Sequence, residues 1–172
     1  MWKLVDDQLD IAEFLAKGAD RRPRQAELRG AVSTAYYALF QALCEMCAAR
    51  LVGWEEPWET FTPIFRSLDH VRTLNILNEY RSDKEHPLGE AIETIGIAFK
   101  ELHAAREWAD YSPEPHPDPR TTREGGSFSR GDAMVLVAAA RRAVSALDEL
   151  DDSTRLKLAT RLVTRSRKEM RR

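Results

Sequence analysis

One arginine stands at a position that the sequence pattern reserves for apolar side chains. From residue 88 to residue 109, apolar residues recur at alternating steps of four and three, and Arg106 takes one of these places. A buried guanidinium is unfavourable unless it is paired and hydrogen-bonded. His103 lies one helical turn earlier and Asp110 one turn later. Because histidine titrates near neutral pH, this stretch could place a positive charge beside a group that transfers a proton.

Arg106 has two interpretations. In the first, the helix end has already left the core, and the side chain extends to water. In the second, Arg106 belongs to a polar cluster that faces a groove or a dimer interface. Tyr37 and Gln41, in the helical stretch AVSTAYYALFQAL, are the candidates from a neighbouring helix. The cluster hypothesis predicts that Tyr37 is linked across the interface to Arg106, and through it to Asp110 and Tyr111.

The two cysteines, Cys44 and Cys47, are spaced C-x-x-C in the continuation of that stretch. A zinc site usually needs about four ligands, and there is no second cysteine pair. A thioredoxin-like redox pair would need a βαβ context, which is missing. The favoured interpretation is two buried core thiols, and the sequence predicts no metal site and no cofactor.

The basic residues are concentrated at the end of the sequence. Residues 155–172 contain eight Lys or Arg and one Glu, a net charge of +7, whereas the rest of the chain carries 18 basic and 27 acidic residues. Such asymmetry fits a nucleic-acid contact, a basic helix packed against the acidic body, or a solvated tail. If it binds nucleic acid, the candidate contacts are Arg161, Arg165, Arg167 and Lys168.

The overall composition is that of a single globular domain. Of 172 residues, 31% are charged and 43% apolar, which is enough to bury a core. No apolar run is long enough to span a bilayer, and residues 1–18 lack the uninterrupted apolar stretch of a signal peptide. We expect a cytoplasmic protein without membrane association.

The periodic segments predict an all-α protein, an up-and-down bundle of four to five antiparallel helices. We expect residues 1–150 to form the bundle and residues 151–172 a basic helix or tail. Ser129 and Asp132 have the spacing of a helix-capping pair. Residues 112–128 contain four prolines and two adjacent glycines, which predict a long exposed loop. The helices are expected at about 2–17, 23–52, 59–80 (with a break near Pro63), 88–111 and 129–150.

Apolar spacing also predicts which side chains are buried. Trp54 and Trp58 are expected to cap one end of the core, and Tyr36 to pack in the core with its hydroxyl bonded to a neighbour. In the first helix the expected core residues are Leu4, Ile11, Phe14 and Leu15. In the second helix they are Leu28, Val32, Ala35, Leu39, Leu43 and Met46.

Two motifs in this order resemble the HEPN superfamily of prokaryotic helical-bundle proteins. The first is RGAVSTAYYALFQAL, and the second, some sixty residues later, is AREWADY. They are similar to the A-x-x-x-A-Y-Y-A-x-F-x-A and R-x-x-A-D-Y signatures of one branch of small proteins, and the resemblance covers about residues 5–150. The matching residues are Ala31, Ala35, Tyr36, Tyr37, Ala38, Phe40, Ala42, Arg106, Ala109, Asp110 and Tyr111.

The resemblance implies an up-and-down bundle that usually dimerises. Active members of the family are metal-independent endoribonucleases, many of them toxins paired with a small nucleotidyltransferase antitoxin or serving in antiviral defence. Their catalytic pair is an arginine followed four to six residues later by a histidine. The arginine stabilises charge on the phosphate, and the histidine moves the proton of the 2′-hydroxyl.

This sequence departs from that pattern at the histidine. Tyr111 stands at the matching distance after Arg106, and Gln41 stands where many relatives have a histidine. The resemblance therefore gives Arg106, Asp110 and Tyr111 as candidate catalytic residues, with His103 as a substitute base. The expected function is a HEPN-like module of a toxin–antitoxin or defence system that acts on or binds RNA. The alternative is a non-catalytic dimeric bundle that binds a protein or a nucleotide.

Overall fold

A computed structural model describes residues 3–19, 21–82, 89–112 and 127–164 of the chain. Within these residues the protein contains seven α-helices and no strand, so the prediction of an all-α bundle is confirmed. Predicted features at Trp2, Leu88, Arg165, Arg167 and Lys168, and most of the loop 112–128, lie outside the described residues. The helices are α1 (Lys3–Lys17), α2 (Gln25–Leu51), α3 (Trp58–Phe65), α4 (His70–Ser82), α5 (Glu90–Tyr111), α6 (Arg130–Glu149) and α7 (Asp152–Val163).

Helix α2 is the centre of the bundle. It packs against α1, α3, α5, α6 and α7. Contact on so many sides requires small side chains where neighbours approach closely, and α2 supplies them at Ala31, Ala38 and Ala42, which are fully buried. The predicted α2 stripe is confirmed, because all of its members are buried: Leu28, Val32, Ala35, Leu39, Leu43 and Met46.

The predicted core face of α1 is wrong. Leu4, Ile11 and Phe14 are each more than half exposed, and Leu15 is only partly buried. The buried side chains are instead those at steps of four, three and four: Val5, Leu9, Ala12 and Ala16. Two small alanines let α1 lie close to α2, which favours this face over the bulkier one.

Ion pairs between α1 and α6 accompany this orientation of α1. Arg141 of α6 donates hydrogen bonds to Asp10 at 2.6 Å and to Glu13 at 3.0 Å, and both carboxylates lie on α1. Because exposed ion pairs contribute little free energy, the buried alanine face sets the rotation and these contacts agree with it.

The third predicted helix is two helices. Pro63 lies inside the last turn of α3, and the break follows it at residues 66–69. Asp69 begins α4 as its N-cap, because its carboxylate accepts a hydrogen bond from the backbone amide of Arg72 at 2.9 Å. His70 is consequently the first residue of α4.

The aromatic residues before and within α3 cover one end of the core. The rings of Trp54 and Trp58 stack on buried Phe61, with centroids 5.0 Å and 5.8 Å from it. Both indoles nevertheless remain more than half exposed. They lie on the core without entering it.

The start of α6 is anchored to the start of α2. Ser129 and Asp132 form the predicted capping pair, with the Asp132 amide donating to Ser129 Oγ at 3.0 Å. Just before it, the side-chain amide of Gln25 bonds both backbone groups of Phe128, at 2.7 Å and 2.9 Å. Phe128 is therefore fixed to the first residue of α2 immediately before α6 begins.

The first part of the basic extension is a helix of the bundle. Leu158, Ala159 and Leu162 of α7 are buried in the shared core, so the core extends beyond residue 150. Arg72 of α4 donates to the carbonyls of Leu162 at 2.8 Å and of Arg161 at 3.3 Å, and also to that of Thr164. These are carbonyls that a helix end leaves without intrahelical partners.

Mutations can test which face of α1 is buried. Leu9→Ala should lower the free energy of unfolding by about 2–5 kcal/mol, because it leaves a cavity beside α2. Ile11→Ala, on the exposed face, should change it by less than about 0.5 kcal/mol. Urea unfolding followed by circular dichroism measures both, and equal losses for the two variants would contradict this register.

Candidate functional site

Arg106 lies on the buried face of α5. It is 6% exposed and continues the apolar stripe formed by Ile92, Ile95, Phe99 and Leu102. The interpretation in which its side chain extends to water is therefore wrong. A charged group in the interior must find compensating contacts among its neighbours.

The neighbours of Arg106 compensate its charge only in part. Its guanidinium carbon lies 5.0 Å from the centre of the Tyr36 ring and 5.7 Å from that of Tyr111, both within cation–π distance. Its Nη1 is 3.4 Å from the Tyr111 hydroxyl and 3.9 Å from Asp110 Oδ2, both long contacts. Its Nε is buried and has no hydrogen-bond partner among the described residues. The Arg106 guanidinium is therefore fixed in place but keeps an N–H donor that no described residue accepts from.

Arg106 keeps its proton in this environment. Burial by itself lowers the pKa of Arg106, but the phenol oxygens of Tyr36, Tyr37 and Tyr111 offset that effect, and the net direction is upward. The guanidinium is therefore a permanent positive charge, and the site is suited to an anion.

Tyr36 contacts Arg106, His70 and His103, and so connects the other buried polar side chains of the site. It is fully buried, as predicted, and its hydroxyl lies 2.7 Å from Nδ1 of His70. Burial raises the pKa of Tyr36, so its hydroxyl stays protonated. The same side chain contacts the guanidinium of Arg106 and two imidazoles, and it therefore sets the spacing among them.

His70 is the residue of this site that the sequence did not indicate. It is partly buried, and its ring lies 4.0 Å from that of Phe40 and 5.6 Å from that of Tyr36. Its pKa is lowered, first by burial and then by the charges of Arg106 and His103, with Asp69 acting in the opposite direction. His70 is consequently a neutral imidazole at pH 7.

His103 lies on the other side of Tyr36. It is 7% exposed, and its ring meets the Tyr36 ring edge-on with centroids 5.8 Å apart. Its ring centroid also lies 6.3 Å from that of Phe99. The predicted proximity of His103 to Arg106 is thus realised through a shared contact with Tyr36.

Tyr37 and Gln41, the predicted members of the cluster on α2, lie on different sides of that helix. Tyr37 meets the edge of the Tyr36 ring at 5.3 Å and is 41% exposed, and so lies at the rim of the site. Gln41 faces α1 instead: it accepts a hydrogen bond from Gln8 at 3.3 Å and donates one to Glu45 at 3.1 Å.

Polar contacts continue from the site along the α2–α5 interface. Ser33 donates a hydrogen bond to Asp110, which fixes the carboxylate nearest to Arg106. One turn further, Arg29 donates to the carbonyl of Ser112 at 2.8 Å. In the opposite direction the interface becomes apolar. The site thus lies where the α2–α5 interface changes from apolar to polar contacts.

The two cysteines take no part in this chemistry. Cys44 and Cys47 are buried free thiols, as predicted. Burial raises the pKa of Cys44 to about 12, so it stays a thiol at neutral pH. Over the described residues, His, Cys, Asp and Glu side chains form no group of three or more that could hold a metal ion. None of the helices described is long and apolar enough to cross a membrane.

The chain matches no protein-family model, no curated protein sequence and no solved structure. The feature that bears on its function is therefore the site around Arg106. Of the basic residues predicted to contact nucleic acid, Arg161 is described, and it forms an exposed ion pair with Glu79 at 2.9 Å.

A buried cation that is held for binding should contribute little to folding. Arg106→Met keeps the length of the side chain and removes the incompletely paired charge, so we expect an unchanged or higher free energy of unfolding. Arg72→Met is the matched control, because it removes charged hydrogen bonds to the end of α7 and should cost about 1.5–3 kcal/mol. Chemical denaturation compares them, and a loss in Arg106→Met as large as that in Arg72→Met would contradict a binding role.

Proposed function

We propose that the protein is a cytoplasmic, HEPN-like module of a prokaryotic toxin–antitoxin or defence system, and that it binds RNA at Arg106. The observation that carries the proposal is the buried guanidinium, whose polar contacts to Tyr111 and Asp110 are long and whose Nε lacks a partner among the described residues. A phosphate oxygen is a suitable acceptor for it, because guanidinium and phosphate form strong charge-assisted hydrogen bonds.

Aromatic side chains at the rim favour a nucleic acid over a free phosphate ion. Tyr111 is 75% exposed and Tyr37 is 41% exposed, and both lie next to the Arg106–Tyr36 contact. Unpaired bases stack on such rings, mainly in single-stranded RNA. Tyr111 covers the guanidinium through one long contact of 3.4 Å, which a phosphate oxygen would replace at little cost.

The basic extension supplies a second contact for the RNA backbone in this proposal. Its candidate residues are Arg161, Arg165, Arg167 and Lys168. Arg161 would leave an exposed ion pair with Glu79, and such pairs contribute little free energy. The acidic remainder of the surface would discourage contact elsewhere, so binding would concentrate at Arg106 and at the extension.

Binding to RNA should depend on Arg106 and not on surface charge in general. Arg106→Met should weaken binding of a labelled single-stranded oligoribonucleotide roughly 10- to 100-fold, the effect of losing one charge-assisted contact. Arg142→Met removes an exposed arginine of α6 and should leave affinity within about twofold. Fluorescence anisotropy measures the dissociation constants. No binding by the wild type, or equal effects of the two variants, would refute the proposal.

A second candidate function is a dimeric bundle that binds a protein partner or a nucleotide. The observation that favours it is an apolar groove of about 580 Å³ between α5 and α6. Three exposed apolar residues line this groove, namely Ile97, Trp108 and Val135. Exposed apolar patches of this kind favour protein contacts, either with a second copy of the chain or with a nucleotidyltransferase-type antitoxin.

Homodimer formation through this groove has a simple test. The wild type should show twice the mass of one chain in size-exclusion chromatography with light scattering, and Val135→Glu should reduce it to one chain, because the variant buries a carboxylate in the interface. Leu4→Glu introduces the same charge on an exposed part of α1 and should leave the dimer intact. A monomeric wild type at micromolar concentration would exclude this dimer.

A further inference from the structure

We infer that the surface around Trp54 and Trp58 is a docking site for an arginine-containing segment of a partner protein. The site is formed by the connector between α2 and α3 and by the first turn of α3. Leu51, the last residue of α2, is about 22 Å along that helix from Tyr36. The docking site is therefore separate from the site around Arg106, and the inference does not depend on the proposed function.

The two indoles are exposed but held in place. Trp54 is 55% exposed and Trp58 is 64% exposed, although tryptophan usually buries most of its surface. Both rings stack on Phe61, which is 4% exposed, with interplanar angles of 29° and 19°. One buried ring thus orients two exposed ones. Exposed aromatic surface of this kind favours a protein contact, because tryptophan is among the residues that contribute most to interface affinity.

The connector that carries the indoles has a defined backbone. Gly53 follows α2 with a φ of +105°, which residues other than glycine rarely adopt, and its amide donates to the carbonyl of Ala48 at 3.3 Å. Pro57 is the N-cap of α3, and its carbonyl accepts hydrogen bonds from the amides of Thr60 at 2.9 Å and Phe61 at 3.1 Å. The indoles are therefore presented by an ordered segment, which reduces the entropy lost on binding.

The charge of this surface favours a cationic partner. Residues 51–60 contain three glutamates and no lysine or arginine, a net charge of −3. Glu55, Glu56 and Glu59 are all exposed, and none forms an ion pair with a described residue. Arg50, the nearest basic residue along the chain, is already paired with a carboxylate of α7 at 3.4 Å. Such a surface repels nucleic acids and anionic membranes and attracts a basic polypeptide.

Arginine combines the two properties that this surface requires. Its guanidinium stacks flat on an indole, the ring with the strongest cation–π attraction, and also donates two parallel hydrogen bonds to a carboxylate. A lysine ammonium has the charge but not the planar shape. Each indole is followed directly along the chain by a glutamate. The site thus offers both kinds of contact, and we expect a segment with more than one arginine to bind best.

Defined peptides test this docking site. The probe is a fluorescein-labelled peptide of glycine and serine with three arginines, and matched peptides carry three lysines or three glutamines at the same places. The wild-type protein should bind the arginine peptide most tightly, the lysine peptide several-fold more weakly, and the glutamine peptide not at all, because only the guanidinium both stacks and pairs. Fluorescence anisotropy measures the dissociation constants.

Variants of the indoles separate cation–π attraction from general electrostatics. The double variant Trp54→Leu/Trp58→Leu keeps apolar side chains and the net charge but removes both rings, so it should weaken binding of the arginine peptide at least about fivefold. Trp108→Leu is the matched control, because it removes a partly exposed indole of α5 and should leave affinity within about twofold.

Variants of the glutamates test the electrostatic contribution in the same way. Glu55→Gln/Glu56→Gln should weaken binding of both cationic peptides and should reduce the dependence of affinity on salt. Glu101→Gln/Glu107→Gln makes the same change of net charge on the exposed face of α5 and should leave affinity within about twofold. This pair of variants also keeps the inference testable if the double indole variant does not fold, which circular dichroism determines.

The outcomes decide the inference independently of RNA binding. It is overturned if wild type does not bind the arginine peptide at about 1 mM, if the lysine peptide binds equally well, or if the double indole variant and Trp108→Leu have equal effects. A wild-type dimer that the double indole variant dissociates in light scattering would assign the surface to a second copy of the chain and overturn it as well. Arg106→Met should bind the arginine peptide as wild type does, which separates this site from the proposed RNA site.

Discussion

The buried side chain of Tyr36 is the constraint on which the meeting of α2, α4 and α5 depends. A permanent charge on an apolar stripe requires an aromatic face and oriented dipoles around it, and Tyr36 provides the face. The Tyr36 hydroxyl must then find its own partner, and it does so at His70 of α4. Through these contacts the one side chain of Tyr36, on α2, meets both α5 and α4.

Helix α2 can meet these demands because its sequence alternates small and large side chains. The fully buried alanines allow other helices to approach its axis, and Tyr36 and Leu39 fill the wider spaces between them. A helix that is buried on most sides has no distinct polar face. The helices around it therefore carry most of the surface that contacts water. For this reason the exposed polar groups of the bundle lie mainly on the surrounding helices.

The sequence predicted those helices in which apolar residues mark a single face, and those helix starts that carry a local motif. The α5 stripe is regular enough to identify Arg106 as an exception, and the capping pair at Ser129 has a local signature. The predicted core face of α1 was wrong because the size of Leu4 and Ile11 suggested that they are buried. Close packing against α2 instead buries the face that carries the alanines. His70 was missed because the helix predicted over residues 59–80, with its break near Pro63, would have placed it in mid-helix. Its neighbour Asp69 is a capping residue type, and that was the available signal.

The first turn of α4 tethers the basic end of the chain to the neighbourhood of the site. Arg72 lies two residues after His70 and holds the carbonyls at the end of α7, including that of Thr164. Because the same turn carries His70, a displacement at the end of α7 would act directly on the helix start that holds this imidazole. One arginine side chain thus couples the position of a surface helix end to a buried tyrosine contact.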